Sequence, residues 1–285
     1  MTTDKLIWPA RLHHIHLTSG NVPDMVKWYQ DSMGLTAEEL GNGATWMSGK
    51  DRNLLIGPGP KSGLKFSAFA VENRDHLTRL RARAEETGTP VETSPTPLFG
   101  DGAFAVRDPD GNCITLGIPD RQSSRGNGPA GMLSGRLQHV VVASTDAPRM
   151  IAFYSDILGF RKSDLVREEK SGEITACFMR CDPEHHAIAV FRAAENRLDH
   201  HCYETTSWND IRDWGDHFSE RRDTVVWGAG RHGAGHNLFI FVRDPDGNNV
   251  ELSAEIDDVP YEQAPGTWRH EERTLNLWGS AWLRS

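Results

Sequence analysis

The sequence predicts an α+β protein of two tandem domains, each built from two strand–helix–hairpin modules. Three repeats carry that reading. RLHHIHLTSGNVPDMVKWYQDSMGL (Arg11 to Leu35) returns as RLQHVVVASTDAPRMIAFYSDILGF (Arg136 to Phe160), 125 residues on. FAVRDPDGNCITLGIPD (Phe104 to Asp120) returns as IFVRDPDGNNVELSAEID (Ile240 to Asp257), with Asp108 and Asp244 136 positions apart. Within the second half, CDPEHHAIAVF (Cys181 to Phe191) resembles RDPDGNNVELS (Arg243 to Ser253). Self-similarity on this scale marks duplicated domains rather than a short-period solenoid.

Each element follows from its residues. The opening strands HIHL and HVVVA lead into polar turns with a proline close behind. In the second copy Asp146 suits the N-cap and Pro148 the first turn. The helix there buries Met150, Ile151, Phe153, Tyr154, Ile157 and Leu158, and Gly159 ends it in a left-handed conformation. The closing segments are apolar strands joined by a DPDG turn, hence hairpins. LDHHCYETTSWNDIRDWGDHF, from Leu198, resumes the strand-then-helix pattern. The domains are expected at residues 1–121 and 136–285, joined by the Gly/Ser/Pro-rich stretch Gln122 to Gly135.

Composition excludes several classes. With 285 residues, 38% apolar and 25% charged, the chain is globular rather than disordered. A net charge of −9 without a basic run argues against nucleic-acid binding. No apolar stretch approaches the roughly 20 residues of a membrane helix, and the N-terminus lacks a secretory pattern. Four cysteines (Cys113, Cys177, Cys181, Cys202) show no framework spacing, so reduced thiols in a cytoplasmic protein are expected. Nine of the 13 histidines follow residue 138, which concentrates chemistry in the second half.

Three of those late residues, His139, His201 and Glu251, sit at equivalent points of the modules. Two imidazoles and one carboxylate on one side of a metal leave coordination positions open, as in non-haem Fe(II) oxygenases. The duplication offers an internal control. It sets His14 opposite His139, Ser67 opposite His201 and Thr115 opposite Glu251. Only the second copy holds a full set, as a metal site but not a folding requirement would have it.

The organisation resembles the vicinal oxygen chelate superfamily, and the second half is similar to the type I extradiol ring-cleaving dioxygenases. The resemblance spans Arg11 to Trp278 and is strongest from Gly230 to Glu251, where G-R-H precedes seven residues, I-F-V-R-D-P-D-G, three residues and E. It implies domains of two βαβββ modules forming a half-open barrel, the first of them without metal. It further implies Fe(II), with Mn(II) as the alternative, and a catechol-type diol cleaved with both atoms of O2 retained. His186 matches the acid/base histidine. His185, beside it, is expected to point away by strand alternation. His232 matches the histidine that steadies oxygen-derived intermediates, and Phe178 a position in the pocket wall. Phe241 replaces the usual tyrosine, removing a hydroxyl donor to the substrate. Ala189 stands where glyoxalase-type relatives carry a fourth ligand, which disfavours the competing reading of a metal-dependent lyase or isomerase. A non-enzymatic ligand-binding protein is the third alternative. The tryptophan-rich tail (Trp268, Trp278, Trp282) resembles a segment over the pocket mouth, or serves as an oligomer contact. A homo-oligomer without nucleic-acid or membrane partners is expected.

Overall fold

A computed structural model describes residues 5–120 and 132–283, so most of the expected linker lies outside the described residues. The first half runs β1 (Ala10–Ser19), α1 (Val22–Asp31), β2 (Thr36–Glu39), β3 (Thr45–Gly49), β4 (Arg52–Pro58), β5 (Gly63–Val71), α2 (Arg74–Glu86), β6 (Glu92–Thr93), β7 (Phe104–Arg107) and β8 (Cys113–Gly117). The second runs β9 (Arg136–Ser144), α3 (Ala147–Ala152), β10 (Arg161–Arg167), β11 (Ile174–Arg180), β12 (Ile188–Arg192), β13 (Arg197–Thr205), α4 (Trp208–Arg221), β14 (Trp227–Arg231), β15 (Leu238–Arg243) and β16 (Asn249–Ala254). A tail adds β17 (Gly266–Arg269) and α5 (Glu272–Leu275).

Both halves pair their strands alike. The sheet orders are β2-β3-β4-β1-β5-β8-β7-β6 and β14-β15-β16-β13-β9-β12-β11-β10, with β17 added beyond β10. Within each module the first strand runs parallel to the fourth, as β9 does to β12 and β13 to β16. The two modules join through their first strands, antiparallel, as β1 does to β5 and β9 to β13. Four βαβββ modules thus make two tandem curved sheets, the α+β architecture expected.

Local chemistry sets the helix starts. Asp146 accepts from the Arg149 amide at 3.2 Å and caps α3, and Pro148 lies in its first turn. This helix is shorter than its apolar pattern predicts, because the backbone widens into a π turn over Phe153–Ile157. Gly159 follows at φ +83°, and a Cβ there would lie 2.7 Å from that of Leu6. Left-handed backbone and lack of space both require glycine.

The central strands of the second half, β9, β12, β13 and β16, have two buried faces. The outer face meets the helices in an apolar core that includes Val140, Val142, Tyr203, Trp214, Val250 and Leu252 and continues into the first half. The inner face gathers Val141, Phe178, Ala189, Trp227, Phe239 and Phe241. The halves also exchange polar contacts. Tyr29 of α1 donates to Asp244 (3.2 Å) and Tyr154 to Asp108 (2.9 Å), each tyrosine reaching the DPDG turn of the other half.

Candidate metal centre

Strand register decides which side chains meet. Cys202 of β13 pairs with His139 of β9 on one side and Glu251 of β16 on the other. Directly opposed residues share a face, and so does the residue two positions along. His200 therefore joins His139 and Glu251 on the inner face. Nε2 of His139 and Nε2 of His200 each lie 3.2 Å from Glu251 Oε2 and 3.4 Å from each other. His232 Nε2 is 3.4 Å from Glu251 Oε1, and Asn237 donates to that oxygen at 3.3 Å.

His201 is not part of this cluster, and the expectation is corrected here. It pairs with Val140 and Val250, so its ring faces the helices. There its Nε2 lies 3.1 Å from the Tyr29 hydroxyl, while its buried Nδ1 has no hydrogen-bond partner among the described residues. Burial, then the neighbouring His200 and His139, lowers its pKa to about 3, so the ring stays neutral. The physical reason for the switch is a register shift between Leu198 and His200, where Asp199 is the extra residue. Such a bulge reverses the inside–outside parity counted from the start of the strand.

Proton accounting shows what the cluster attracts. His139 Nδ1 faces the Gln138 amide oxygen, whose own NH2 donates to Glu184 and to the His186 carbonyl. His200 Nδ1 faces Asp199 Oδ1 at 2.8 Å. His232 Nδ1 faces the Leu275 carbonyl. Each partner is an acceptor, so each Nδ1 carries hydrogen and each neutral ring turns an Nε2 lone pair toward the Glu251 carboxylate. Converging lone pairs on an anion call for a cation between them. Outer partners that fix the tautomer in this way are the usual support of metal-ligating histidines.

A proton on Nε2, which turns the ring into a donor, answers the same demand for positive charge. Burial would raise the pKa of Glu251, but hydrogen bonds from His139, His200 and His232 hold it well below the usual carboxylate range. Burial opposes charge on His200, yet Asp199 and Glu251, one at each nitrogen, outweigh it and raise its pKa. Cys202 also lies here: ligand atoms of His139, Cys202 and Glu251 fall within 4.8 Å of one another. Burial, reinforced by Glu251 and Glu204, pushes that thiol well above its ordinary value, so it is a neutral neighbour of the cluster.

The cluster opens on a narrow cavity lined by Phe178, His186, Phe191, Trp227, Phe241 and Leu275, among others. His186 is buried, with its ring centroid 4.3 Å from that of His139 and 5.0 Å from that of Phe178. Burial, then His139 and His185, lowers its pKa well below the ordinary imidazole value. The His232 ring stacks on Phe239 at 4.0 Å, and the Phe241 ring stands edge-on to His200 at 5.2 Å. Phe178, His232 and Phe241 thus line one cavity. Ala189 is buried on this face, beside Phe178 and Val141. His185 does not point away: its Nδ1 lies 3.0 Å from Nδ1 of His186, because both residues precede β12 rather than alternating along it. A larger cleft of about 530 Å3, lined by residues such as Arg11, Arg136, Asp182 and Glu184, lies between the halves and holds none of the cluster.

Sequence reasoning missed His200, Asp199, Gln138 and Asn237. Tyr203, a large outer-face residue, would have fixed the parity of β13 from its C-terminal end and selected His200.

The profile of the Glyoxalase/Bleomycin resistance protein/Dioxygenase superfamily matches residues 11–116 and 136–252. Metapyrocatechase 2 of Cupriavidus necator is 28% identical over 78% of this chain and 73% of its own length. The manganese-dependent 2,3-dihydroxybiphenyl 1,2-dioxygenase of Geobacillus genomosp. 3 is 26% identical over 85% of this chain and 84% of its own. An extradiol ring-cleaving dioxygenase from B. fuscum, solved at room temperature, superposes with a TM-score of 0.80 at 24% identity, covering 95% of this chain and 80% of that one.

Proposed function

Because the chain belongs to the glyoxalase/bleomycin resistance protein/dioxygenase superfamily, we propose that it is an extradiol dioxygenase whose metal is held by His139, His200 and Glu251. It would cleave a catechol-type ring beside one hydroxyl and place both atoms of O2 in the product. The observation that carries this reading is the convergence of His139 Nε2 and His200 Nε2 on one carboxylate oxygen at 3.2 Å, with both Nδ1 atoms facing acceptors. The two named relatives are similar over most of this chain, and the one from Geobacillus genomosp. 3 carries a dioxygenase name, which supports the same class.

A divalent metal at this position supplies the charge that acidifies a chelating diol and the redox-active orbitals that activate O2. The protein's residues do the rest. Phe178, Phe191, Trp227 and Phe241 form apolar walls for an aromatic ring and exclude water. His186 takes the proton of a substrate hydroxyl at Nε2 and returns it as the ring opens. His232, fixed by Leu275 and Phe239, hydrogen-bonds a substrate oxygen. Phe241 offers no donor, so orientation falls to His232 and ring packing. Buried Ala189 cannot ligate, which favours three protein ligands over the four of a glyoxalase-type lyase. Fe(II) is the metal we propose; Mn(II) suits the same donors, and one relative is named manganese-dependent.

The test is anaerobic reconstitution with Fe(II) or Mn(II), metal analysis, and a catechol panel followed by O2 uptake and absorbance of the ring-opened product. His200→Ala should lose the metal and His201→Ala should keep it. His186→Ala should keep the metal and lose at least about 100-fold in turnover. A wild-type protein that binds no stoichiometric metal, or consumes no O2 with any vicinal diol, overturns the proposal.

A further inference from the structure

The pocket histidine His186 is not isolated behind the cavity. A hydrogen-bonded series of three side chains runs away from it: His186 Nδ1 to His185 Nδ1 at 3.0 Å, then His185 Nε2 to Asp164 Oδ2 at 3.0 Å. The same oxygen accepts from Trp268 Nε1 at 2.8 Å. All of it is shielded, with the side chains of His185 and Asp164 4% and 14% exposed. Packing has made room for both residues. A Cβ on Gly266 would lie 2.2 Å from Asp164 Oδ1, and one on Gly235 would lie 2.9 Å from His185 Nδ1. The backbone of His185 is held as well, since its amide donates to the Asp257 carbonyl at 2.8 Å.

Only one hydrogen fits between two Nδ1 atoms in contact. Asp164 is an acceptor, so a neutral His185 keeps its proton on Nε2 and turns the Nδ1 lone pair to its neighbour. The Nδ1 of His186 must then carry hydrogen, and its Nε2 becomes the bare nitrogen presented to the cavity. We propose that His185 and Asp164 are positioning residues that set the tautomer of His186, so that Nε2 faces the substrate as a base. This rests on the reading of the cavity as a catechol site, and deepens it by assigning two residues behind the acid/base histidine. A carboxylate that fixes the tautomer of a catalytic imidazole is a recurrent device; here a second imidazole relays the instruction.

The tautomer is directly measurable. Full-length protein with 15N-labelled histidine, without metal, is compared with His186→Gln to identify the His186 ring signals. Wild type should show a protonated Nδ1 and an unprotonated Nε2. His185→Phe, which offers no acceptor, should shift His186 toward the Nε2–H form, and so should Gly266→Ala, which displaces Asp164 while keeping its charge. His185→Asn, whose amide oxygen takes the place of Nδ1, should preserve the wild-type tautomer. In metal-loaded protein, His185→Phe should lower kcat about 100-fold with KM within twofold, and His185→Asn should recover most of it. An Nε2–H tautomer in wild type, or identical signals in the Phe and Asn variants, overturns the assignment. If the tautomer responds as described but no diol is cleaved by wild type, the catechol reading fails and the positioning role stands.

Discussion

His200 and His201 are neighbours in the chain with opposite surroundings. One ring meets Glu251 at one nitrogen and Asp199 at the other; the other ring meets Tyr29 among the helices. The Tyr29 hydroxyl serves both His201 and Asp244, so Tyr29→Phe leaves two buried groups short of a partner. That loss should cost about 1–3 kcal/mol in denaturant unfolding while leaving the metal content of reconstituted protein unchanged. At this scale the sequence was informative but not sufficient. His139, Glu251, His186 and His232 were legible because each occupies a distinctive place in a repeat or motif. The choice between two adjacent histidines was missed, because parity counted from the start of the strand fails at a bulge at Asp199. Gln138 and Asp199 were hidden for another reason: residues that orient a ligand are ordinary polar residues until the ligand's geometry is known.

The opening strands, first helices and closing hairpins of the duplicated frame were legible, because each combines an apolar run with an explicit stop: Asp146 and Pro148 at a helix start, the DPDG turns in the hairpins. What escaped was β17, a four-residue strand that pairs in parallel with β10 and reads in sequence as tail. Its place matters, since it delivers α5 to the cavity. Thr274 and Leu275 form part of the lining, and Trp282 stacks on Trp227 at 5.0 Å. With the tail in place, the space open to the centre of a water molecule is about 20 Å3, room for roughly one water. Under the proposed function a diol needs more room than this, and α5 forms part of the wall that limits it. Leu275→Ala should widen this space and favour bulkier substrates. The ratio of kcat/KM for a 3-alkylcatechol to that for catechol should rise about tenfold, measured by O2 uptake on the reconstituted protein. An unchanged ratio would show that the tail does not select.

Across the whole molecule, burial sets the response to pH. Glu204 is 7% exposed, with its carboxylate bonded to Ser253 and the Ile256 amide. Burial pushes its pKa up to about 7 from 4.5, those hydrogen bonds notwithstanding. A carboxyl with a raised folded value contributes stability that is fully present below pH 4.5 and lost as pH rises through 7. Buried His201, lowered to about 3, acts in the other direction below pH 6.5, so the comparison must be between variant and parent at each pH. Glu204→Gln should be nearly neutral at pH 4 and more stable than wild type at pH 8, by on the order of 2 kcal/mol. Thermal unfolding across that range checks it, and a constant difference would count against the account.

The crossed tyrosine–aspartate contacts carry one more consequence. Each half lends an aromatic hydroxyl to a carboxylate that the other half has buried, and the Tyr29 hydroxyl also reaches His201, the neighbour of His200 in the cluster. The half without the histidine–glutamate cluster thus supplies a partner to a buried acid of the half that holds it. A graft that swapped in a foreign first half would have to bring its own counterpart of Tyr29, or strand an acid in oil.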